Sequence, residues 1–360
     1  MLIGIDGNEA NTKLRVGSGV YAYNLIKQLY RSPWPHRYLV YLKKPPLSDL
    51  PPISPHWTYS VFGPKFLWTR LALPLHLFLG SAKPDLFYSP SHYLPLISPV
   101  PSIATIHDVG YLKYPQQFTP KDLHQLRSWT KHSIKQANRL ITVSEFTKRE
   151  IHRIYRIPEN KITIVPNGVE DPPKKIAANH YSHPYFLSLG TLKPSKNLLF
   201  LINAFARFSR SHPEYLLVIA GKKGWLYDEL YRVTQRLNLS AQVIFTGYVN
   251  SSQKWSLIKH AVALILPSLY EGFGIPALEA MKAGTPTIVS RIPALTEVCG
   301  AASLFINPHQ LPTLTLALSE ILRPSLRRQL IKLGLTQSQK YCWKTSAKLL
   351  LNLFTTLKPC

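Results

Sequence analysis

Acidic residues and cysteines are scarce in this chain of 360 residues. Asp and Glu number 18 against 43 Lys and Arg, a formal net charge of +25. An imbalance that large points to an anionic partner: nucleic acid, a phosphate-bearing ligand or the negative face of a membrane. Only three cysteines occur, Cys299, Cys342 and Cys360, with no metal-ligand spacing among them. A low odd count argues against a disulfide framework and predicts free thiols in a reducing compartment. Long apolar runs are missing too. The longest, 66–80, is broken by Arg70, Pro74 and His76, short of the roughly 20 clean residues a transmembrane helix needs. The chain opens on a strand-like run, so no signal peptide is expected. The expected location is therefore the cytoplasm, with peripheral association at the membrane's inner face.

What is present is core-forming sequence: 45% hydrophobic, 11% aromatic and only 17% charged, against wholesale disorder. Apolar runs of strand length at 2–6, 38–42, 86–88, 102–106, 139–143, 162–165, 185–189, 216–220, 243–246, 263–266 and 286–289 alternate with segments of helical period. The latter fall at 19–30, 121–137, 145–155, 197–212, 225–237, 253–260, 276–283 and 311–323. This alternation predicts α/β architecture, with parallel sheets covered by helices. Many of the 31 prolines lie in pairs or near-pairs, such as Pro172-Pro173, and mark rigid loops. A polar, proline-containing stretch at 170–184 predicts a linker between two α/β units, 1–172 and 184–342. Leucines at helical spacing make 343–354 an amphipathic closing helix.

Four segments can carry chemistry. Gly17, Ser18 and Gly19 lie between a strand and a helix, where backbone N–H groups can approach a phosphate or sugar; a plain tight turn explains them equally well. His107-Asp108 follows the apolar strand 102–106, at the end of a strand where open α/β sheets bind ligands; a helix cap or loop hydrogen bond is the bland alternative. The strongest segment runs from Pro267 to Ala280. Glu271 follows a buried strand, Gly272 and Gly274 turn the chain, and Pro276 opens a helix whose free N–H groups can hold a diphosphate. Glu279 on that helix can accept from a ribose, and Glu271 from a second sugar. Two carboxylates eight apart around a glycine turn suit a nucleotide-sugar better than a bare nucleotide. Finally, Lys193 and Lys196 sit in a strand-to-helix loop where they can neutralise phosphate charge or simply be solvated.

Together these segments resemble the retaining glycosyltransferases of family 4, which have the GT-B architecture. The Glu271-x7-Glu279 spacing is the family's hallmark. Further matches follow in the family's order over nearly the whole chain: 17–20, Thr105-Ile106-His107-Asp108, 143–145, 165–169, Gly190-Thr191, Lys196-Asn197, Gly221-Lys222, Gly247-Tyr248-Val249, 286–289 with Glu297, and Trp343-Lys344. The stretch from Trp68 to Val169 is most similar to mannosyltransferases of polysaccharide assembly. The resemblance implies two Rossmann-like domains facing a central cleft. The N-terminal one would bind the acceptor and be completed by 343–360; the C-terminal one would bind the nucleotide-sugar.

The resemblance also implies roles. His107, Glu271 and Lys196 would be the catalytic residues: His107 beside the transferred sugar, Glu271 on its hydroxyls, Lys196 on the diphosphate. Backbone amides of Phe273, Gly274 and Ile275 would lie near sugar and diphosphate, and Glu279 would bind the ribose. Thr191, Gly221, Tyr248 and Val249 would line the donor site, the last three around the base. Gly17, Ser18 and Gly19 would lie near phosphates and acceptor. The implied donor is GDP-mannose or another nucleotide-diphosphate sugar, with no cofactor and no obligatory metal. A glycan or polyprenyl-diphosphate-linked molecule would be the acceptor.

One position departs from the pattern: Ser195 stands where similar members carry Arg, so a bidentate phosphate partner is missing. Either Lys193 or Lys222 compensates, or the chain is a slow or binding-only relative. The basic residues of 121–137, and Lys65 and Arg70 among the aromatics of 65–79, fit an anionic membrane surface, though a charged segment is commonly just a solvated face. Nucleic acid is not an expected partner, because the charge is spread through both halves and no reading motif occurs.

Overall fold

The computed structural model describes residues 1–32, 36–224 and 227–357. It divides into two compact units. One comprises Met1–Lys113, Thr119–Gly168 and Cys342–Cys360; the other comprises Tyr114–Phe118 and Val169–Tyr341.

In the first unit the order is β1 (Leu2–Asp6), α1 (Ser18–Arg31), β2 (Arg37–Leu42), β3 (Trp57–Val61), α2 (Ala72–Leu79), β4 (Leu86–Ser89), β5 (Ser102–Ile106), α3 (Gly110–Lys113), α4 (Pro120–Gln136), β6 (Arg139–Thr142), α5 (Glu145–Tyr155) and β7 (Ile162–Ile164). Seven parallel strands lie in the order β3-β2-β1-β4-β5-β6-β7. The order reverses between β1 and β4, and this is the sheet's switch point, the crevice where such sheets take ligands. β1, β2, β4 and β5 are buried along almost their whole length, as strands covered on both faces must be.

In the second unit follow β8 (Tyr185–Leu189), α6 (Leu198–Phe208), β9 (Leu216–Ala220), α7 (Asp228–Arg236), β10 (Val243–Gly247), α8 (Ser251–His260), β11 (Ala263–Leu266), α9 (Ile275–Lys282), β12 (Thr287–Ser290), α10 (Pro293–Cys299), β13 (Leu304–Ile306), α11 (Leu311–Glu320) and α12 (Pro324–Gln339). Six parallel strands lie in the order β10-β9-β8-β11-β12-β13, with the switch point between β8 and β11. Phe186, Leu201, Phe205, Leu217, Ile265 and Leu318 are among the side chains of its core.

The last helix, α13 (Trp343–Thr355), groups with the first unit. Ser346 Oγ donates to Pro166 O at 2.7 Å, and Phe354 packs edge-on against Tyr88. Gly168 is required there, since a Cβ would lie 2.3 Å from Trp343 N.

Several expectations shift in the structure. The helix expected over 197–212 spans Leu198–Phe208, because Asn197 adopts φ 56°, ψ 38° and Ser209 ends the run. That expected over 311–323 ends at Glu320. Of the helix expected over 225–237, Asp228–Arg236 is helical, while Trp225 and Leu226 lie outside the described residues, as does Cys360. Cys299 and Cys342 are free thiols. No helix among the described residues is long and apolar enough to cross a membrane.

Candidate functional site

The carboxyl ends of β8, β9 and β10 finish in glycines. Gly190 N donates to Ala220 O at 2.9 Å and Gly221 N to Gly247 O at 2.8 Å, so the ladder runs past the strands into the loops. At Gly221 φ is +155° and a Cβ would strike Gly190 O at 1.8 Å; only glycine allows these loops so close. Thr191 and Val249 are half-buried on this rim and Tyr248 is exposed.

Across the switch point, Lys196 after β8 meets Glu271 after β11. Lys196 Nζ donates to Glu271 Oε1 at 2.6 Å, and Ser268 Oγ donates to the same oxygen at 2.6 Å. Both ionic side chains are 14% exposed. An ammonium has three N–H donors and a carboxylate two oxygens, so each keeps capacity for a ligand. Gly274, at φ +111°, is the N-cap of α9, with Ile275 and Pro276 in its first turn and no side chain capping it. Phe273 is buried, its ring edge-on to Tyr341 at 5.4 Å. Glu279, one turn further, is 8% exposed and pairs with Lys254 of α8 rather than with Lys196. Ser195 is buried, and its carbonyl accepts from Leu269 N at 2.8 Å.

The rim of the first unit has different contents. After β1, Asn8 donates twice to Asp6, through its backbone at 3.0 Å and its side chain at 2.7 Å. Burial pushes the Asp6 carboxyl up to about 6. Gly17 is the N-cap of α1 at φ +49°, a conformation that favours glycine, and the space around its missing side chain is open. Ser18 Oγ donates to Glu9 Oε2 at 3.0 Å, and a Cβ on Gly19 would press to 3.1 Å from Glu9 O.

His107 follows β5, with its Nε2 3.0 Å from Pro90 O. A carbonyl only accepts, so Nε2 carries the proton and Nδ1 a free lone pair. His107 N donates to His92 Nε2 at 3.0 Å, and the two rings stack at 5.7 Å. Tyr21, two residues past Gly19, packs edge-on against His107 at 4.9 Å. Burial, then the neighbouring His92, pulls the His107 pKa down to about 4, so the ring is neutral at pH 7. Asp108 Oδ1 accepts from Gly110 N at 2.8 Å, the loop hydrogen bond the sequence left open.

Three participants escaped the sequence reading: Ser268, His92 and Lys254. Ser268 and His92 follow a strand's carboxyl end, and that position was the signal available; Lys254 lies within α8 and offered none. A cavity of 340 Å³ lined by Tyr30, His36, Tyr38, His56 and Trp57 lies at the amino ends of β2 and β3, away from these rims. Among the described residues no group of three or more His, Cys, Asp or Glu could hold a metal.

Two family models match the chain back to back: "Glycosyltransferase Family 4" over residues 16–171 and "Glycosyl transferases group 1" over 172–335. O-antigen chain mannosyltransferase B of Escherichia coli is 27% identical over 292 residues, covering 78% of this chain and 76% of that protein. O-antigen chain mannosyltransferase RfbU of Salmonella typhimurium is 32% identical over 238 residues, covering 66% of this chain and 64% of that protein. Among solved structures, Anabaena Alr3699/HepE in complex with UDP and glucose superposes with a TM-score of 0.76 at 17% identity, over 99% of both chains.

Proposed function

The chain belongs to the family 4 glycosyltransferases, on the GT-B fold, and on that premise we propose that it moves mannose from GDP-mannose onto a glycan or polyprenyl-diphosphate-linked acceptor in polysaccharide assembly. The observation that carries this reading is the Lys196–Glu271 pair across the β8/β11 switch point, with Glu279 one helical turn into α9. The mannose assignment draws on the similarity to O-antigen mannosyltransferases.

In this mechanism Glu271 accepts hydroxyls of the donor sugar, and Glu279 accepts from the ribose. Lys196 and the amino end of α9 take up the negative charge that grows on the leaving diphosphate, without a metal. The bond from the sugar's anomeric carbon to the phosphate oxygen breaks. The acceptor oxygen bonds to that carbon from the same face, so configuration is retained, and its proton passes to the departing phosphate. His107, neutral and fixed by Pro90, offers Nδ1 as an acceptor beside the transferred sugar. Gly17, Ser18 and Gly19 lie toward the acceptor.

Peripheral membrane binding fits the first unit's surface. Phe66 is 77% exposed, Leu75 61% and Leu79 80%. Nearby, Arg70 stacks on Trp129 of α4 at 4.6 Å, and Lys121, Arg127, Lys131 and Lys135 of that helix are exposed. Apolar side chains beside basic ones suit an anionic bilayer.

The test is a panel of nucleotide-sugars with membrane lipid extract as acceptor source, read as GDP or UDP release. Acceptor-stimulated GDP release from GDP-mannose is the expected result; release from a UDP-sugar instead would replace the donor. Nucleotide binding without any release would favour the binding-only reading suggested by Ser195. Full activity in Lys196→Ala would remove Lys196 from the diphosphate.

A further inference from the structure

Of the two pairs Lys196–Glu271 and Lys254–Glu279, Lys254 is the member that neither the sequence motifs nor the proposed mechanism uses. It lies in the first turn of α8, directly after the Tyr248-Val249 loop. Asn250 caps that helix, accepting from Gln253 N at 3.0 Å, while Gln253 Oε1 accepts from Asn250 N at 3.0 Å. A cation is misplaced at a helix's amino end, where the dipole is already positive. Glu279 compensates it: Lys254 Nζ donates to Glu279 Oε1.

Holding α8 to α9 does not require this pair. The far ends of the two helices are tied separately, by Thr285 Oγ1 donating to Ile258 O at 2.7 Å and Lys259 Nζ donating to Ala283 O at 3.1 Å. Nor is the pair sealed. The Lys254 side chain is 23% exposed and that of Glu279 11%, so one side faces solvent. One ammonium N–H serves the carboxylate and two remain.

We propose that Lys254 and Glu279 form a two-sided clamp for the vicinal diol of a ribonucleoside diphosphate. Glu279 accepts from one ribose hydroxyl, while Lys254 donates to a ribose oxygen and holds the Glu279 carboxylate in place. Lys254 thereby selects ribo- over 2′-deoxyribonucleotides. This rests on the donor-site reading above and adds a residue to it.

Calorimetric titration of the full chain with GDP, UDP and their 2′-deoxy counterparts tests it. The wild type should bind the better ribonucleotide about tenfold or more tighter than its deoxy form, as expected for a hydrogen bond involving a charged group. Lys254→Met should weaken the ribonucleotide about tenfold, barely change the deoxy form, and bring the ratio close to one. Lys254→Arg, which keeps charge and donors, should retain most of the preference. A purely structural role would weaken both forms alike. Thermal melts confirm folding, and Lys254→Gln takes the place of the Met variant should that one unfold. No ribo preference in the wild type, or an unchanged preference in Lys254→Met, overturns the clamp. Wild type binding neither GDP nor UDP would remove the donor-site reading itself, and the clamp with it.

Discussion

In the second unit the loops that meet at the switch point are joined by charge, Lys196 to Glu271 at 2.6 Å. In the first unit the loops after β4 and β5, beside the switch point, are joined by neutral groups, with His107 between the carbonyl of Pro90 and the ring of His92. Both rims follow one plan: a parallel sheet whose strand order reverses beside its first strand. The plan supplies a crevice and says nothing about its chemistry. A rim that stabilises a leaving diphosphate needs cations balanced by carboxylates while it is empty. In the proposed mechanism the first unit's rim meets the sugar with an uncharged acceptor instead. Burial keeps that acceptor, His107, unprotonated.

The sharpest way to break this contrast is Glu271→Ala. It leaves Lys196 without its counter-charge and the donor sugar without its acceptor. A loss of about 10³-fold in kcat/KM is expected, measured by nucleotide release; activity within about tenfold of wild type would take Glu271 away from the reacting sugar. His107→Ala should cost about 10²-fold in kcat, with nucleotide affinity in titration unchanged. A comparable loss of nucleotide affinity would dissolve the distinction between the two rims.

A third prediction concerns stability. His107 titrates near 4 in the folded chain, below its unfolded value of about 6.5. The unfolded chain therefore takes the proton first, and acidification from about 6.5 to 4 removes stability. Asp6 runs the other way. Its folded value of about 6 lies above the ordinary 3.8, so acidification through 6 towards 3.8 adds stability. The two oppose each other between about pH 4 and 6. Asp6→Asn deletes the compensating half while keeping an oxygen for Asn8. Between pH 7 and pH 4.5 it should lose about 1–3 kcal/mol more than the wild type in urea unfolding. Equal losses would mean that Asp6 is not titrating in the folded chain. The smallest effect is expected at the surface. Leu75→Asp should reduce flotation with anionic liposomes a few-fold at low salt, and binding should weaken as salt rises. Absence of wild-type binding at low salt would refute the membrane reading.

How much of this was legible in the sequence depended on how each element is stabilised. β11 is an uninterrupted apolar run and β8 has only Ser188 within one, and both were read from sequence. The edge strand β3 was missed because Trp57–Val61 alternates polar residues and is only partly buried. The 16-residue α12 was missed for a related reason. Its buried face is Leu330, Gly334 and Ser338, small or polar residues that give little apolar period. A Cβ on Gly334 would crowd Met281 Cγ of α9 at 3.1 Å, so close helix packing, not hydrophobicity, chose those residues. At the site, the motif exposed Glu271 and Glu279 because the glycines and proline around them are bound to one local turn. Lys254 carried no such signal: a lone lysine on a short helix is indistinguishable from solvated charge.

Alternation of strand and helix, the parallel α/β class and the paired carboxylates eight residues apart were set by the sequence alone, since period, turn residues and spacing are local properties. Which cation meets which carboxylate was decided only by the tertiary structure. Lys196 and Glu271 are 75 residues apart and Lys254 and Glu279 are 25 apart. Glu271 comes within reach of Lys196 because β11 is placed beside β8, and Glu279 meets Lys254 because α9 packs on α8. Those neighbours were chosen by the burial of whole strands and helices, a sum over many residues that no local pattern contains.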